Sequence, residues 1–245
     1  MKYTSIVLGF LLLFTACDND LDQFPPKQIE ASNLDDFTGV LNAAYYYQTG
    51  STTPLAIMGD FRADNMLMEE EPYPAFDRFN SDLAGGDLVE QFFRPFYSNL
   101  YKSILSANNV INNSANPTEI AEAQFLRGLS YFKLVKVFGD VTVNLSESPD
   151  VSDTSTLVRQ PASEVYTNVI IPDLQAAISG LDNSGLSNGR ASQIAARALL
   201  GRVYMYRGNF GEAAPILGAV VNDASGLGII LEPDFADVVT NGSSE

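Results

Sequence analysis

Residues 73–80 (YPAFDRFN) combine three aromatic rings with a carboxylate, a guanidinium and an amide. A pyranose ring has an apolar face and a polar rim, so it binds where an aromatic face is flanked by hydrogen-bonding groups. We therefore take the following as candidate ligand-binding residues: Tyr73, Phe76, Asp77, Phe79 and Asn80. The chain has no Trp, which leaves a peptide or another ligand open beside a glycan. The alternative is that these rings only hold the loop against the protein core.

Carboxylates are the second group with chemical potential, because the chain has 30 acidic residues. Asp60, Asp64 and the run 69–71 offer the hard oxygen ligands that Ca²⁺ prefers. They lack the fixed spacing of a calcium loop, so we favour a solvated acidic loop and predict no metal site. Two carboxylates can also hydrolyse glycosides. No pair stands out among so many, and we predict a protein that is not an enzyme, with no catalytic residue and no cofactor.

Composition excludes several other classes of function. Only 14 basic residues oppose the 30 acids, and a net charge of −16 argues against nucleic-acid binding, which needs clustered Lys and Arg. The same charge disfavours anionic ligands. The chain has no His and one Cys, so it has no imidazole base, no Cys-His couple and no internal disulfide.

The first residues have the pattern of a bacterial export signal. Lys2 precedes a nine-residue apolar run, residues 6–14, which is too short to span a bilayer and matches the central part of a signal peptide. Phe14-Thr15-Ala16 then precede Cys17, as in a lipobox. We predict a lipoprotein signal peptide at 1–16, a lipidated Cys17 and an acidic tether at 17–33. The alternative is a signal peptide cut at Thr15-Ala16, which leaves Cys17 as an incidental free thiol.

Helical periodicity dominates the rest of the chain. The pattern predicts a first helix capped by Asn33, an irregular connection over residues 50–86 that is rich in Gly and Pro, and a helix from Asp87 to about Asn113. Further helices are predicted from Pro117 to Gly139 and from Pro161 to about Leu181, the last with a kink at Pro172. The remaining predictions are a loop at 141–153 and a strand-like run at 228–231.

Residues 196–220 carry the most specific internal pattern, because their spacing matches a tetratricopeptide helical hairpin. Gly201 and Ala213 are small enough for two antiparallel helices to approach closely, and Gly208 suits the turn between them. Four larger side chains are predicted to fill the groove: Leu200, Tyr204, Phe210 and Leu217. The fold class is therefore mainly all-α, built from tetratricopeptide-like hairpins with long irregular loops. Such repeats indicate architecture and do not specify a function.

With these features the chain resembles the N-terminal half of a SusD/RagB-type nutrient-uptake lipoprotein. The resemblance covers nearly all residues from Cys17 to Glu245. The segments that carry it are 34–37 (LDDF), 42–45 (NAAY), 59–65 (GDFRADN), 121–128 (AEAQFLRG), 131–141 (YFKLVKVFGDV) and the hairpin at 196–220.

The resemblance implies a surface-exposed, lipid-anchored protein of the outer membrane in Bacteroidetes. Such proteins capture a glycan or a peptide and deliver it to a TonB-dependent, SusC-like transporter. It also implies that residues 34–245 are a helical N-terminal domain whose C-terminal half is missing, because family members are considerably longer. The competing hypothesis is a tetratricopeptide-type lipoprotein that binds or assembles proteins and has no small-molecule ligand.

Overall fold

Helices form almost all of the regular structure in this computed structural model. Residues 34, 36–77, 86–149, 152 and 154–231 are described, except for the side chains of residues 77, 155 and 156, and every structural statement refers to them. The helices are α1 (Thr38–Thr49), α2 (Thr52–Arg62), α3 (Pro74–Asp77), α4 (residues 86–113), α5 (Pro117–Phe138), α6 (residues 162–180), α7 (Gln193–Tyr206) and α8 (Phe210–Ala224). The mainly all-α prediction is confirmed.

The central helix α5 begins and ends where its sequence predicts. Asn116 is its N-cap, and the side-chain oxygen accepts a 3.0 Å hydrogen bond from the backbone N–H of Thr118. Pro117 occupies the first helical position, where no N–H is needed. Gly139 then ends the helix with a φ of +70°, a conformation that favours glycine. The helix buries side chains along its length, among them Leu126, Tyr131 and Leu134, against α4 and α6.

The first helix begins later than predicted. It starts at Thr38, whose N–H donates a 2.8 Å hydrogen bond to the Asp36 carboxylate, and not directly after Asn33. Asn33 lies outside the described residues. Leu41 and Ala44 are fully buried, as the predicted helical face requires.

The prediction that residues 50–86 form an irregular connection was wrong. Residues Thr52–Arg62 form the eleven-residue helix α2, and a short helix, α3, follows at Pro74–Asp77. Pro54 stands in the first turn of α2, where a missing N–H costs little, so it does not break the helix. Met58 and Phe61 are both buried, and this tertiary packing stabilises a segment whose Gly and Pro content disfavours a helix.

Two of the helices contain a wider π-turn that ends two residues before a proline. In α4, Val89–Phe93 is a π-segment between Gly86–Leu88 and Arg94–Asn113. In α6, Tyr166–Ile170 lies in the same way between Ala162–Val165 and Ile171–Gly180. Pro95 and Pro172 follow at the second position of each later α-segment. A proline removes one backbone donor, so the predicted disturbance at Pro172 takes the form of a π-turn.

The predicted hairpin is formed by α7 and α8. Gly208 adopts a φ of +73° in the turn, and a Cβ added to Gly201 would lie 2.5 Å from Leu217 Cδ2, so the helices are as close as predicted. Leu200 is buried, and Tyr204 and Leu217 are half-buried. Phe210 was predicted to fill the groove, but it is 61% exposed. It is the first residue of α8, where most of its side chain is accessible to solvent.

Two smaller predictions also need correction. Within the predicted loop at 141–153, Val141–Thr142 pairs with Arg159–Gln160 as a two-stranded antiparallel sheet. The apolar run at 228–231 is not a strand. A 3₁₀ turn at Ser225–Leu227 ends at Gly228, and the three residues that follow are exposed, because no neighbouring strand in the described part of the chain pairs with them.

Candidate ligand-binding site

An open cavity of about 430 Å³ lies where α2, α3, α4, α5 and α7 meet. Its volume falls within the roughly 300–1,000 Å³ typical of small-ligand pockets. The apolar part of its lining consists of Leu55, Met58, Gly59, Phe76, Phe93 and Val137. The polar part consists of Arg62, Lys136 and Tyr206. Apolar walls with a few polar groups are the usual composition of a ligand pocket.

The α2 helix positions one wall of this cavity. Phe61 of α2 stacks on both Tyr73 and Phe76, with ring centroids 5.2 and 5.9 Å apart. Arg62 Nη1 donates a 3.2 Å hydrogen bond to the carbonyl oxygen of Phe76. Phe76 in turn meets Phe92 of α4 edge to face at 5.6 Å. These contacts hold α3 against α2 and α4 and give the cavity a firm aromatic side.

Some of the predicted binding residues lie at this wall of the cavity, and the others lie outside the described residues. Phe76 lines the cavity but is only 1% exposed, so its ring belongs mainly to the core and matches the alternative that the aromatic residues hold the loop in place. Tyr73 is half-buried on the same aromatic cluster. The side chain of Asp77, and Phe79 and Asn80 as a whole, lie outside the described residues. Cys17 does too.

The opposite rim is a cluster of cations and aromatic rings that sequence reasoning missed. Lys136 Nζ lies 5.2 Å from the ring centroid of Phe132 and 4.9 Å from that of Tyr206. The two rings themselves meet edge to face at 5.3 Å. Arg202, four residues before Tyr206 on α7, has its Cζ atom 5.9 Å from the centroid of the Tyr206 ring. We call Lys136, Arg202 and Tyr206, with Phe132, the cationic rim.

Charge at the rim changes the chemistry of its tyrosine. Burial alone would raise the pKa of the Tyr206 hydroxyl, but Lys136 and Arg202 lower it by stabilising the phenolate, and the net shift is downward. Lys136 belongs to the 131–141 segment that carries the family resemblance, and Tyr206 ends the first helix of the hairpin. Those two segments were the only sequence signal for the rim. Their meeting at one cavity depends on the tertiary structure.

The acidic residues considered for Ca²⁺ do not converge. Asp60, Asp64 and residues 69–71 are all exposed. Asp64 adopts a left-handed backbone conformation with a φ of 62° in the turn after α2. Within the described ranges, no group of three or more acidic, His or Cys side chains is placed to hold a metal ion.

The fold and the cavity define a class: a helical protein with a tetratricopeptide-like hairpin and an open, apolar-walled cavity. Residues 20–205 match the family model SusD-like_3, described as "Starch-binding associating with outer membrane". The chain therefore belongs to the SusD-like family, a family of carbohydrate-binding proteins associated with the outer membrane. Among the described residues, no helix has both the length and the apolar character needed to cross a bilayer.

Individual relatives agree with this assignment. "SusD-like protein P2" of Formosa agariphila is 34% identical over 97% of this chain, which covers 49% of that protein. A SusD superfamily protein of Bacteroides thetaiotaomicron shares the fold with a TM-score of 0.66, at 19% identity, over 83% of this chain and 49% of its own. A "Laminarin binding SusD-like protein" gives a TM-score of 0.59 at 24% identity, over 75% of this chain and 42% of its own. The chain spans about half the length of the relatives it matches.

Proposed function

We propose that this chain belongs to a non-catalytic lipoprotein that captures a nutrient at the outer membrane. The first candidate for this nutrient is a glycan, and the second is a peptide. The observation that carries the proposal is the 430 Å³ cavity, whose lining combines apolar side chains with three hydrogen-bonding ones. A sugar ring needs both kinds of surface. The starch-binding description of the family supports a glycan as the first candidate.

The loop at 73–80 would extend the cavity wall. Phe76 already lines the cavity, and Tyr73 packs on the same aromatic cluster with part of its ring exposed. We propose that Tyr73, with Asp77, Phe79 and Asn80 beyond it, contacts the bound nutrient. Phe76 would contribute mainly by supporting these neighbours, because so little of its surface is accessible.

Delivery would follow capture. We propose that Cys17 carries the lipid after removal of residues 1–16, that residues 17–33 are the tether, and that a TonB-dependent, SusC-like transporter receives the nutrient. The family's association with the outer membrane supports this location. Palmitate or a similar acyl chain on Cys17 would supply about 0.8 kcal/mol of membrane affinity per buried methylene group.

One observation favours the alternative of a protein-binding module. The second helix of the hairpin exposes large apolar side chains, with Phe210 61% and Val221 73% accessible. Exposed apolar side chains on a tetratricopeptide-like hairpin are typical of surfaces that contact other proteins. Under this alternative the cavity would have no ligand.

A thermal-shift experiment on the full chain separates the two. Laminarin is a suitable first probe because a laminarin-binding protein shares the fold; starch and a peptide digest complete the panel. A ligand at 100 times its Kd stabilises the folded state by about 2.7 kcal/mol. Tyr73→Ala should weaken the shift. Tyr46→Ala should leave it unchanged, because Tyr46 is a 71% exposed tyrosine on α1 that belongs neither to the cavity lining nor to the aromatic cluster that holds Tyr73.

The outcomes are distinct. A shift with a glycan or a peptide that Tyr73→Ala reduces supports nutrient capture. The absence of any shift across the panel favours the protein-binding alternative. Cleavage of a glycan during incubation, detected as new reducing ends, would contradict the non-catalytic proposal.

A further inference from the structure

The charged side chains that line the cavity are both cations. Arg62 and Lys136 contribute to the lining within the described part of the chain, and no Asp or Glu does so. Lys136 extends from α5 and Arg62 from α2, so the two cations come from different helices of the same cavity. In a chain with 30 acidic and only 14 basic residues, two cations and no carboxylate among the described lining residues run against the overall composition.

The cations of the rim differ in their partners from four arginines elsewhere in the described part of the chain. Arg94, Arg127, Arg190 and Arg197 each pair with a carboxylate at 2.6–2.7 Å. Lys136 and Arg202 instead lie over aromatic rings, as Lys102 and Arg207 also do, and no described carboxylate comes within 4 Å of Lys136 or Arg202. A ring quadrupole attracts a cation but leaves its N–H donors available to an anion.

The position of Lys136 is the most informative. Lys136 is half-buried at the cavity, and the Phe132 ring that its ammonium group contacts is only 2% exposed. The ammonium group is therefore partly shielded from water. A charge-assisted hydrogen bond in such surroundings is stronger than one between fully solvated groups. Because Phe93 and Phe76 line the same cavity, this cation suits a ligand that has an apolar face and a negative substituent.

We infer that the cavity takes an anionic saccharide, one with a carboxylate or sulfate group, and that Lys136 and Arg202 bind this group while the sugar face lies on the apolar wall. The inference rests on the proposed function, since it names the class of nutrient. It also reverses the expectation from net charge. The Debye length at physiological salt is about 8 Å, so the charges lining the cavity outweigh distant acids on the surface.

Binding to three polysaccharides by the full chain tests the inference: laminarin as a neutral glycan, polygalacturonate for carboxylate and carrageenan for sulfate. We expect at least one anionic glycan to bind about tenfold more tightly than laminarin. This preference should fall as the NaCl concentration rises from about 50 to about 500 mM, because salt screens the attraction between the cations and the ligand. The two anionic probes show which group supplies the charge.

Variants locate the effect. Lys136→Gln should reduce affinity for the preferred anionic glycan about tenfold, a larger loss than the one it causes for laminarin. Arg202→Gln, at an exposed position where misfolding is not a concern, should give a smaller loss in the same direction. The matched control is Lys102→Gln, which removes the same charge from an exposed site on α4 outside the cavity and should change nothing.

Two failures can be told apart. Laminarin binding that equals or exceeds binding of both anionic glycans overturns the inference and leaves glycan capture intact. Failure of all three glycans to bind overturns the proposed glycan capture as well. Equal losses in Lys136→Gln and Lys102→Gln would mean that attraction is a property of the whole surface and would also overturn the inference.

Discussion

Arg127 Nε and Nη2 donate hydrogen bonds of 2.7 Å to the two carboxylate oxygens of Asp173. Its remaining nitrogen, Nη1, donates to Asn108 Oδ1 at 2.8 Å. All three side chains are buried, so this network joins α4, α5 and α6 inside the protein. Arg127 stands in the 121–128 segment that carries the family resemblance. Its role in that segment is to hold three helices together, and it does not line the cavity described above.

Removing one member of this network should destabilise the fold. Asp173→Asn leaves the Arg127 guanidinium buried without its counter-charge, and we expect the free energy of unfolding to fall by about 3 kcal/mol. Urea denaturation measures the loss. Asp223→Asn is the matched control, because Asp223 pairs with Arg197 at 2.7 Å while half exposed to water, and it should cost less than about 1 kcal/mol. Similar costs for both variants would contradict the structural role of the buried pair.

A second prediction concerns the approach of α6 to α5. A Cβ added to Gly180 would lie 2.6 Å from the Cβ of Ala121, which cannot move without its helix. We expect Gly180→Ala to lower the free energy of unfolding by about 1–3 kcal/mol through overpacking. Gly218→Ala in α8 has no atom within 4 Å of the added methyl group, and there the better helix propensity of Ala should stabilise by up to about 1 kcal/mol. If Gly180→Ala left the free energy of unfolding unchanged in chemical denaturation, α5 and α6 would have to lie further apart than described.

A third prediction concerns pH. Lys133 Nζ donates to Gln48 Oε1 at 3.0 Å and to Ser51 Oγ at 2.9 Å, and no described carboxylate lies within 4 Å. Burial lowers the pKa of Lys133 to about 8, from 10.5, and the charge of Lys136 adds to this shift. Between those values the unfolded chain binds a proton that the folded chain has lost. The free energy of unfolding attributable to Lys133 therefore rises with pH over that interval.

The difference between the wild type and Lys133→Met isolates this effect. From pH 7 to pH 10 the wild type should gain stability relative to the variant in urea denaturation. Lys102→Met controls for the loss of a positive charge, and the same trend in both variants would refute the assignment. The series stops at pH 10 because burial raises the pKa of Tyr45 and of Tyr131, and both then remove stability as pH rises further.

A fourth prediction tests the membrane anchor proposed at Cys17. Mass spectrometry of the protein from a native outer membrane should find Cys17 as the first residue, bearing acyl chains. Cys17→Ser should release the protein from the membrane fraction, because one or more acyl chains supply the membrane affinity. A mature protein whose Cys17 thiol is unmodified would exclude lipidation and the tether at 17–33.

Local signals explain which elements could be predicted. For α5, an N-cap, an early proline and a terminal glycine all agree with a helical stripe, so its limits followed from the sequence. For α2, Pro54 and Gly59 disfavour a helix, and their signal outweighed the helical spacing of the buried residues Met58 and Phe61, so the helix was not predicted. Its stability comes from aromatic packing on α3 and α4, which local sequence does not encode.

The amino-acid sequence by itself determined the family, the helical class and the hairpin at 196–220, because capping, turn residues and the 3.6-residue period act over short distances along the chain. Only the tertiary structure decided that Phe76 lies mainly in the core and that Arg62, Lys136 and Tyr206 meet at one cavity. These side chains come from separate helices, and their meeting depends on how those helices pack. Net charge predicts the average field around the molecule, whereas the few side chains nearest the ligand set the field inside a cavity.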